Sequence, residues 1–454
     1  MTPIEGMPIL TAAQMRTAEA DSGVTPERLM ERAGAGVAQA VHRLAAGADV
    51  LVACGPGNNG GDGYIAAARL AAAGLSVRVA SLGDPRTDAA RRARGGWTGP
   101  VEPLADAAPA SILVDALFGT GLTRAVDQAG LLAALAHHAR LTIAVDLPSG
   151  VATDDGALLS DAPHADVTLA LGALKPAHLL HPAAARCGAV RLIDIGIPVT
   201  SPVAVLGRPI LPPPGAQDHK YTRGMVAVVA GAMPGAAVLA ATAAARGGAG
   251  YVLLLGGATD CVAHAIVRRR YAAAALAGVR IGALLVGPGL GRDERARERL
   301  DAVLATATPA VIDGDALHLV TPGRLADRDA PTILTPHAGE FVALFGDLPG
   351  GKLDQALAAA RASGAIVVYK GADTVVAHPD GRTRIAPTAS PWLSTAGTGD
   401  VLAGAIAAQL AGHGDPFDAA CAGVWLHAEA ARRCGASFIA DDLAAALTAA
   451  RAVL

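Results

Sequence analysis

The residues best suited to chemistry in this 454-residue chain lie in short polar runs that each follow an apolar one. The first is GPGNNGGDG at residues 55–63, directly after DVLVAC. Its glycines at 55, 57 and 60 satisfy GxGxxG, and Asp84 ends the next apolar run about 20 residues on, where a dinucleotide fold holds the ribose. A glycine-rich loop feeding a helix, here expected from Tyr64, offers backbone N–H groups to phosphate. A plain dinucleotide fingerprint needs no Asn58, Asn59 or Asp62, so five glycines packed around three polar side chains predict a site that uses those side chains too. DALFGTGL at 115–122 and DLPSG at 146–150 follow two further apolar runs. Ligands of open α/β sheets gather at the carboxyl ends of strands, so the three loops describe one crevice. Taken singly, Asp115 and Asp146 read equally well as helix caps. Lys175, in LGALKP, reads more readily as a surface residue than as part of the crevice.

The second half repeats the arrangement with other residues. GPGLG (287–291), DGDAL (313–317), TPHAGEF (335–341), KGADT (370–374) and GTGDVLAG (397–404) punctuate apolar runs. In the last, Gly397 and Gly399 ahead of a helix make an anion hole beside Asp400, a carboxylate placed to accept a hydroxyl proton during phosphoryl transfer. The alternative is that Asp400 only caps that helix. The Walker sequence GxxxxGK[ST] does not occur, which disfavours a P-loop kinase.

The elements that must position these loops are legible as alternation. Runs rich in Val, Ile and Leu at 49–54, 76–81, 112–115, 141–146, 166–171 and 190–195, separated by Ala-rich helical segments, predict a doubly wound parallel sheet. The pattern stops between Pro198 and Gly224, where Pro212, Pro213 and Pro214 can continue neither helix nor central strand. It resumes with strands expected at 225–230, 251–255, 283–287, 310–313, 332–335, 366–370 and 374–378. The uncharged stretch 225–245 is broken by Gly231, Pro234 and Gly235 and reads as strand, turn and helix rather than a membrane span. Lys and Arg total 37 against 40 Asp and Glu, a net charge of −3 with no footprint for nucleic acid or an anionic membrane. Hydrophobic residues make up 52% and charged ones 17%, enough for sizeable cores and little case for disorder. The five cysteines, Cys54, Cys187, Cys261, Cys421 and Cys434, form no CxxC pair and are expected to be reduced. His178 and His181 lack converging partners and read as structural residues rather than metal ligands.

With these motifs in hand, the first half resembles the epimerase domain of the NAD(P)H-hydrate repair family, through GPGNNGGDG, DALFGTGL, DLPSG and the closing DIGIP at 194–198. The resemblance implies that Asn58, Asn59, Gly60, Gly61 and Asp62, with Gly119, Thr120, Gly121, Leu122, Thr123, Arg124 and Ala125, contact a hydrated dinucleotide. It also implies that Asn59, Asp115 and Ser149 bind potassium and that Asp146 contacts substrate, as a plausible proton acceptor or donor. The second half resembles the ribokinase-like dehydratase domain of the same family. By that likeness Ala237, Gly289, His337 and Asp400 face the hydrated nucleotide, while Lys370, Gly371, Ala372, Asp373, Thr374 and Gly399 hold ADP, with magnesium. The chain departs from the family at Ala338, where proline is common, and at Lys220-Tyr221-Thr222-Arg223-Gly224, so Lys220 is left out of the site.

The expected architecture is α/β throughout: a Rossmann-like doubly wound epimerase domain over 1–205, then a ribokinase-like dehydratase domain over 206–454. The expected activity is repair of hydrated NADH and NADPH, with Asp146 and Asp400 as the catalytic residues of the two steps. The N-terminal residues have neither the basic nor the apolar region of a signal peptide, so a cytoplasmic enzyme is expected; the resemblance favours a homo-oligomer whose partners are small molecules. Two other readings fit the coarse pattern: a Rossmann dehydrogenase, and a ribokinase-like kinase fused to a dinucleotide-binding sensor.

Overall fold

Strands buried on both faces read as continuous apolar runs, and the centre of each sheet is built from them. The computed structural model describes residues 2–256, 263–278, 280–412 and 414–454. Its contacts divide the chain into two units, Met1–Val205 and Leu206–Leu454.

In the first unit the helices are α1 (Ala12–Asp21), α2 (Pro26–Ala45), α3 (Asn58–Ala72), α4 (Asp88–Gly95) and α5 (Ala129–His138). The strands are β1 (Val50–Cys54), β2 (Val77–Ser81), β3 (Val101–Pro103), β4 (Ile112–Ala116), β5 (Leu141–Val145), β6 (Val167–Leu171) and β7 (Ala189–Ile193), followed by the short β8 (Val203–Val205). The first seven form one parallel sheet in the order β3-β2-β1-β4-β5-β6-β7. Side chains alternate between two cores: Val50, Val52 and Cys54 pack with Met30, Val37 and Tyr64, whereas Leu51 and Ala53 pack with Leu113, Leu132 and Leu135. The chain winds outward from β1 in one direction and from β4 in the other, so the topological switch point lies between them.

In the second unit the strands are β9 (Met225–Val229), β10 (Tyr251–Leu255), β11 (Val267–Arg269), β12 (Ala283–Val286), β13 (Ala310–Ile312), β14 (Thr332–Leu334), β15 (Ile366–Tyr369), β16 (Val375–Ala377) and β17 (Thr383–Ile385). They run in the order β11-β10-β9-β12-β13-β14-β15-β16-β17. The sheet is parallel as far as β15, and the last two strands add antiparallel pairs. The helices are α6 (Pro234–Arg246), α7 (Glu294–Leu304), α8 (Pro322–Ala326), α9 (Ala338–Phe345), α10 (Lys352–Ser363), α11 (Thr398–Gly412), α12 (Pro416–Cys434) and α13 (Ala440–Arg451). The alanine content has a packing consequence: Ala237, Ala240, Ala241 and Ala244 of α6 share one core with Ala403, Ala405 and Ala407 of α11. A Cβ on Gly404 would overlap the Ala240 carbonyl, so the two helices approach as closely as small residues allow. Here the switch point lies between β9 and β12.

Several expectations are corrected. The helix after the first polar loop begins at Asn58, not Tyr64, so Asn58 to Gly63 form its opening turns. Strand β2 ends at Ser81, three residues before Asp84. The three-residue strands β3, β8, β11 and β17 lie outside every expected run. Among the described residues no helix is long and apolar enough to cross a membrane. Cys54, Cys187, Cys421 and Cys434 are free thiols, and Cys261 lies outside the described residues.

Candidate active sites

At the first switch point the loops after β1 and β4 are locked by glycine. The Gly55 N–H donates to the Ala116 carbonyl at 3.0 Å. A Cβ on Gly55 would overlap the Leu117 carbonyl, one on Gly60 the Gly55 carbonyl, and one on Gly61 the Met30 thioether. Gly60 and Gly61 are therefore buried in the seam between strand and helix, and they contribute close approach rather than side-chain surface. The Asn58 Oδ1 accepts from the Thr87 hydroxyl at 2.6 Å. Asn59 keeps a buried Nδ2 with no hydrogen-bond partner, and its Oδ1 and the Asp146 Oδ2 both flank Gly119.

Asp146 follows β5 with φ at +64°, a left-handed conformation uncommon for a residue with a side chain. It is held from several directions. Its Oδ1 accepts from the Lys175 ammonium at 2.5 Å and from the Leu171 N–H at 3.3 Å, and its Oδ2 from the Thr120 N–H at 3.2 Å. Its carbonyl lies 2.6 Å from the His178 Nε2, while the His178 Nδ1 accepts from the Lys175 N–H at 2.9 Å. That pattern fixes the neutral tautomer protonated at Nε2, and burial lowers the His178 pKa to about 4. Lys175 is thus no surface residue: it is 1% exposed, and its ammonium also donates to the Leu171 carbonyl at 2.8 Å. Two more carboxyls feel this pair. Burial, then the charges of Asp146 and Glu19, hold Asp62 well above the usual carboxylate range. Burial also raises Glu19, against the attraction of Lys175.

Asp115 lies inside β4 and caps no helix. It is fully buried, with its Oδ1 accepting from the Ser149 hydroxyl at 2.6 Å and from the Leu117 N–H at 3.2 Å, and its Oδ2 from the Ser149 N–H at 2.8 Å. Ser149 in turn accepts from the Phe118 N–H at 2.9 Å. Burial raises the Asp115 pKa, opposed by these hydrogen bonds, and no ammonium or guanidinium among the described residues pairs with it.

The second unit repeats the glycine lock. A Cβ on Gly287 would overlap the Asp313 carbonyl, one on Gly289 the Met233 carbonyl, and one on Gly231 the Leu290 carbonyl, so the loops after β9, β12 and β13 interdigitate through their backbones. Behind them, Asp313 accepts at Oδ1 from the Thr335 hydroxyl at 2.6 Å and from the Lys370 ammonium at 2.8 Å. Lys370 also lies 3.5 Å from Glu340. Burial opposes its charge, but Asp313 and Glu340 outweigh that and raise its pKa. The lysine of KGADT therefore turns away from its own loop into the carboxylate cluster. Asp400 sits in the first turn of α11 and makes no capping hydrogen bond; burial, then the charge of Asp313, push its pKa up to about 6. His427, neutral with a pKa pushed down to about 4 by burial, lies 3.0 Å from the Thr398 carbonyl behind this turn.

His337 caps α9, its Nδ1 accepting from the Gly339 and Glu340 N–H groups, and its side chain is 60% exposed. Ala338 is the first residue of that helix, a position where proline and alanine are both accepted. Ala237 is fully buried in α6 and presents no surface. In the KGADT loop the Gly371 N–H donates to the Thr374 hydroxyl at 3.2 Å. Asp373 is bound at 2.5 Å by Lys352, whose ammonium also lies over the Tyr369 ring. Lys352 and His427 lie in no motif of the sequence, and only burial and partners mark them. Among the described residues no three His, Cys, Asp or Glu side chains converge to hold a metal, His178 included.

Each unit thus places a glycine-locked crevice at a switch point and a lysine–carboxylate centre at the carboxyl ends of strands beside it, which defines the class as a nucleotide-binding α/β enzyme with two domains. Family models agree on both halves: a YjeF-related protein N-terminus matches residues 26–177, and NAD(P)H-hydrate dehydratase matches 226–451. The bifunctional NAD(P)H-hydrate repair enzyme of Mycobacterium tuberculosis is 38% identical over 409 residues, 84% of each chain. That of Salinibacter ruber is 35% identical, covering 96% of this chain and 94% of its own. A solved ADP/ATP-dependent NAD(P)H-hydrate dehydratase from Bacillus subtilis, crystallised with ATP and magnesium, is 31% identical, covering 54% of this chain and 94% of its own, with a TM-score of 0.48. The chain belongs to the bifunctional NAD(P)H-hydrate repair enzymes, and the dehydrogenase and kinase–sensor readings are set aside.

Proposed function

We propose that residues 1–205 epimerise the R and S hydrates of NADH and NADPH, and that residues 206–454 dehydrate the S hydrate with ADP, giving the reduced coenzyme, AMP and phosphate. The observation that carries this reading is two lysine–carboxylate centres in one chain, each at the carboxyl ends of strands on one side of its own sheet's switch point. Inverting the carbon that bears the ring hydroxyl requires one of its bonds to break and re-form on the opposite face, with a proton given and taken back. Asp62, which burial biases towards its protonated form, is the donor; Asp146, hydrogen-bonded to the Lys175 ammonium, is the acceptor. The 119–125 loop, whose Thr120 N–H contacts Asp146, lies over the bound dinucleotide.

The potassium site implied by Asn59, Asp115 and Ser149 fits the residues present. Asp115 is a buried carboxylate with neutral partners only, and its carboxylate, the Ser149 hydroxyl and the Asn59 Oδ1 supply the oxygen that hard cations prefer. Potassium there would supply positive charge to the crevice.

In the second unit Asp400 accepts the proton of the ring hydroxyl as its oxygen bonds to the β-phosphorus of ADP and AMP leaves. The new phosphate ester then departs as phosphate while a ring proton is lost, restoring the double bond. Magnesium would neutralise charge on the transferred group, carried on the nucleotide phosphates. Residues 371–374 and Gly399 hold the ADP, with Lys352 bracing Asp373 from behind. Gly289, His337 and Asp400 face the hydrate, and Lys370 positions the carboxylates. We further propose ADP rather than ATP as the donor, a cytoplasmic enzyme, and a homo-oligomer.

The test mixes R and S NADH hydrate with enzyme, ADP, magnesium and potassium, and follows both epimers by chromatography. Wild type clears both, Asp146→Ala leaves R behind, and Asp400→Ala leaves both. Persistence of both epimers with wild type sinks the proposal.

A further inference from the structure

Beside the first crevice lies a cavity of about 580 Å³, walled by the segment after β2 (Asp84, Arg86), by Arg91 of α4, and by the segment after β4 (Phe118, Arg124, Asp127). Its size falls in the range of small-molecule pockets, roughly 300–1,000 Å³. The residues on its β2 side have no part in the epimerase chemistry derived above, and three observations bear on what they do.

The first is position. Strand β2 is the neighbour of β1 on the side away from the switch point, and in dinucleotide folds the segment beyond that strand meets the ribose of the adenosine half. The second is the pairing of a carboxylate with arginines. An acid there accepts the 2′-hydroxyl of an NAD-type nucleotide, and an arginine accommodates the 2′-phosphate of an NADP-type one. The third is what those side chains already touch. Arg91 is engaged, donating to Asp88 at 2.5 Å and to the Arg86 carbonyl at 2.9 Å, which fixes the backbone of the β2 segment. The Arg86 N–H donates to the Pro56 carbonyl at 2.8 Å, tying that segment to the glycine loop. The guanidinium groups of Arg86 and Arg124 have no hydrogen-bond or ion-pair partner among the described residues. Two uncommitted guanidinium groups across one cavity suit a phosphate, which takes several charge-assisted donors at once.

Resting on the epimerase reading of this unit, we propose that the cavity holds the adenosine end of the hydrated dinucleotide, with Arg86 and Arg124 gripping the 2′-phosphate of NADPH hydrate and Asp84 accepting the 2′-hydroxyl of NADH hydrate. The two arginines make NADPH hydrate the preferred substrate of the first unit.

Epimerisation measured without ADP reports this step apart from dehydration. Wild type is expected to show a kcat/KM for NADPH hydrate about tenfold above that for NADH hydrate, and the Arg86→Ala Arg124→Ala variant to lower that ratio by about tenfold, to near parity, as both exposed contacts to the phosphate are lost. Arg86→Lys keeps part of the ratio, because a point charge replaces the fork. Asp84→Asn raises it. Equilibrium titration of the full chain with NADP⁺ and NAD⁺ makes the same comparison without turnover, since binding at the second unit is common to wild type and variant and drops out. A ratio unchanged in the double variant, in kinetics or in titration, overturns the assignment. If wild type does not epimerise, the epimerase reading falls, and the titration alone decides whether the arginines read the phosphate.

Discussion

With its ammonium 2.5 Å from Asp146 and 1% of its side chain exposed, Lys175 is half of a buried ion pair, and removing one partner of such a pair strands the other charge. Lys175→Met should cost about 3–5 kcal/mol in denaturant unfolding and abolish epimerisation. Lys175→Met Asp146→Asn should regain much of the stability and none of the activity; if the single variant unfolds like wild type, the pair is not what holds Asp146. Asp400 gives a pH-dependent counterpart. Its folded pKa of about 6 lies above the ordinary value of 3.8, so the folded state keeps the proton while the unfolded chain begins to lose it. Stability from this group is therefore present below about pH 3.8 and is lost as pH rises to about 6, whereas its basicity towards the hydroxyl appears as pH passes 6. Dehydration kcat/KM should accordingly rise to a plateau above about pH 6, and Asp400→Asn should melt higher than wild type at pH 8 but not at pH 3.5. Neither Lys175 nor Lys352 could be assigned from sequence, because an isolated lysine carries no sign of burial. Asp146 and Asp400 stand out in the sequence, because the first opens DLPSG directly after an apolar run and the second lies in GTGDVLAG at the start of a helix.

At the scale of elements, the seam between β1 and α3 depends on which glycine is replaced. A Cβ at Gly55 or Gly60 meets backbone oxygen, which cannot move aside, whereas one at Gly57 meets nothing within 4 Å. Gly55→Ala should lower the melting temperature, lose about 1–3 kcal/mol or more, and impair epimerisation before dehydration; Gly57→Ala should be nearly silent on all three. Equal effects at the two positions would mean that the overlap is not what constrains the loop. The same seam explains a misreading: NNGGDG has poor helix propensity and looks like a loop, but packing against β1 and α2 draws it into α3 from Asn58 onward. The central strands were readable because burial on both faces makes them uniformly apolar. β3, β11 and β17 were not, because VEP, VRR and TRI offer three residues each, with a charged or proline residue and too few positions to show a period.

For the whole molecule, each candidate centre draws its lysine, its carboxylates and its glycine loops from a single unit. An equimolar mixture of Asp146→Ala and Asp400→Ala chains should therefore clear both epimers, each supplying the activity the other lacks, as followed by chromatography of an R and S mixture. A residue of R hydrate that outlasts the S form would show that the Asp400→Ala chains cannot epimerise for their neighbours. The strand order also bears on how the protein is made. β1 takes its place only once β4, some 60 residues further along, has left the ribosome, and β9 must likewise wait for β12. Every strand of the first sheet has been synthesised before β9 begins, so that sheet can close while the second is still emerging, and the unpaired β-strands at risk of aggregation during translation belong to one sheet at a time.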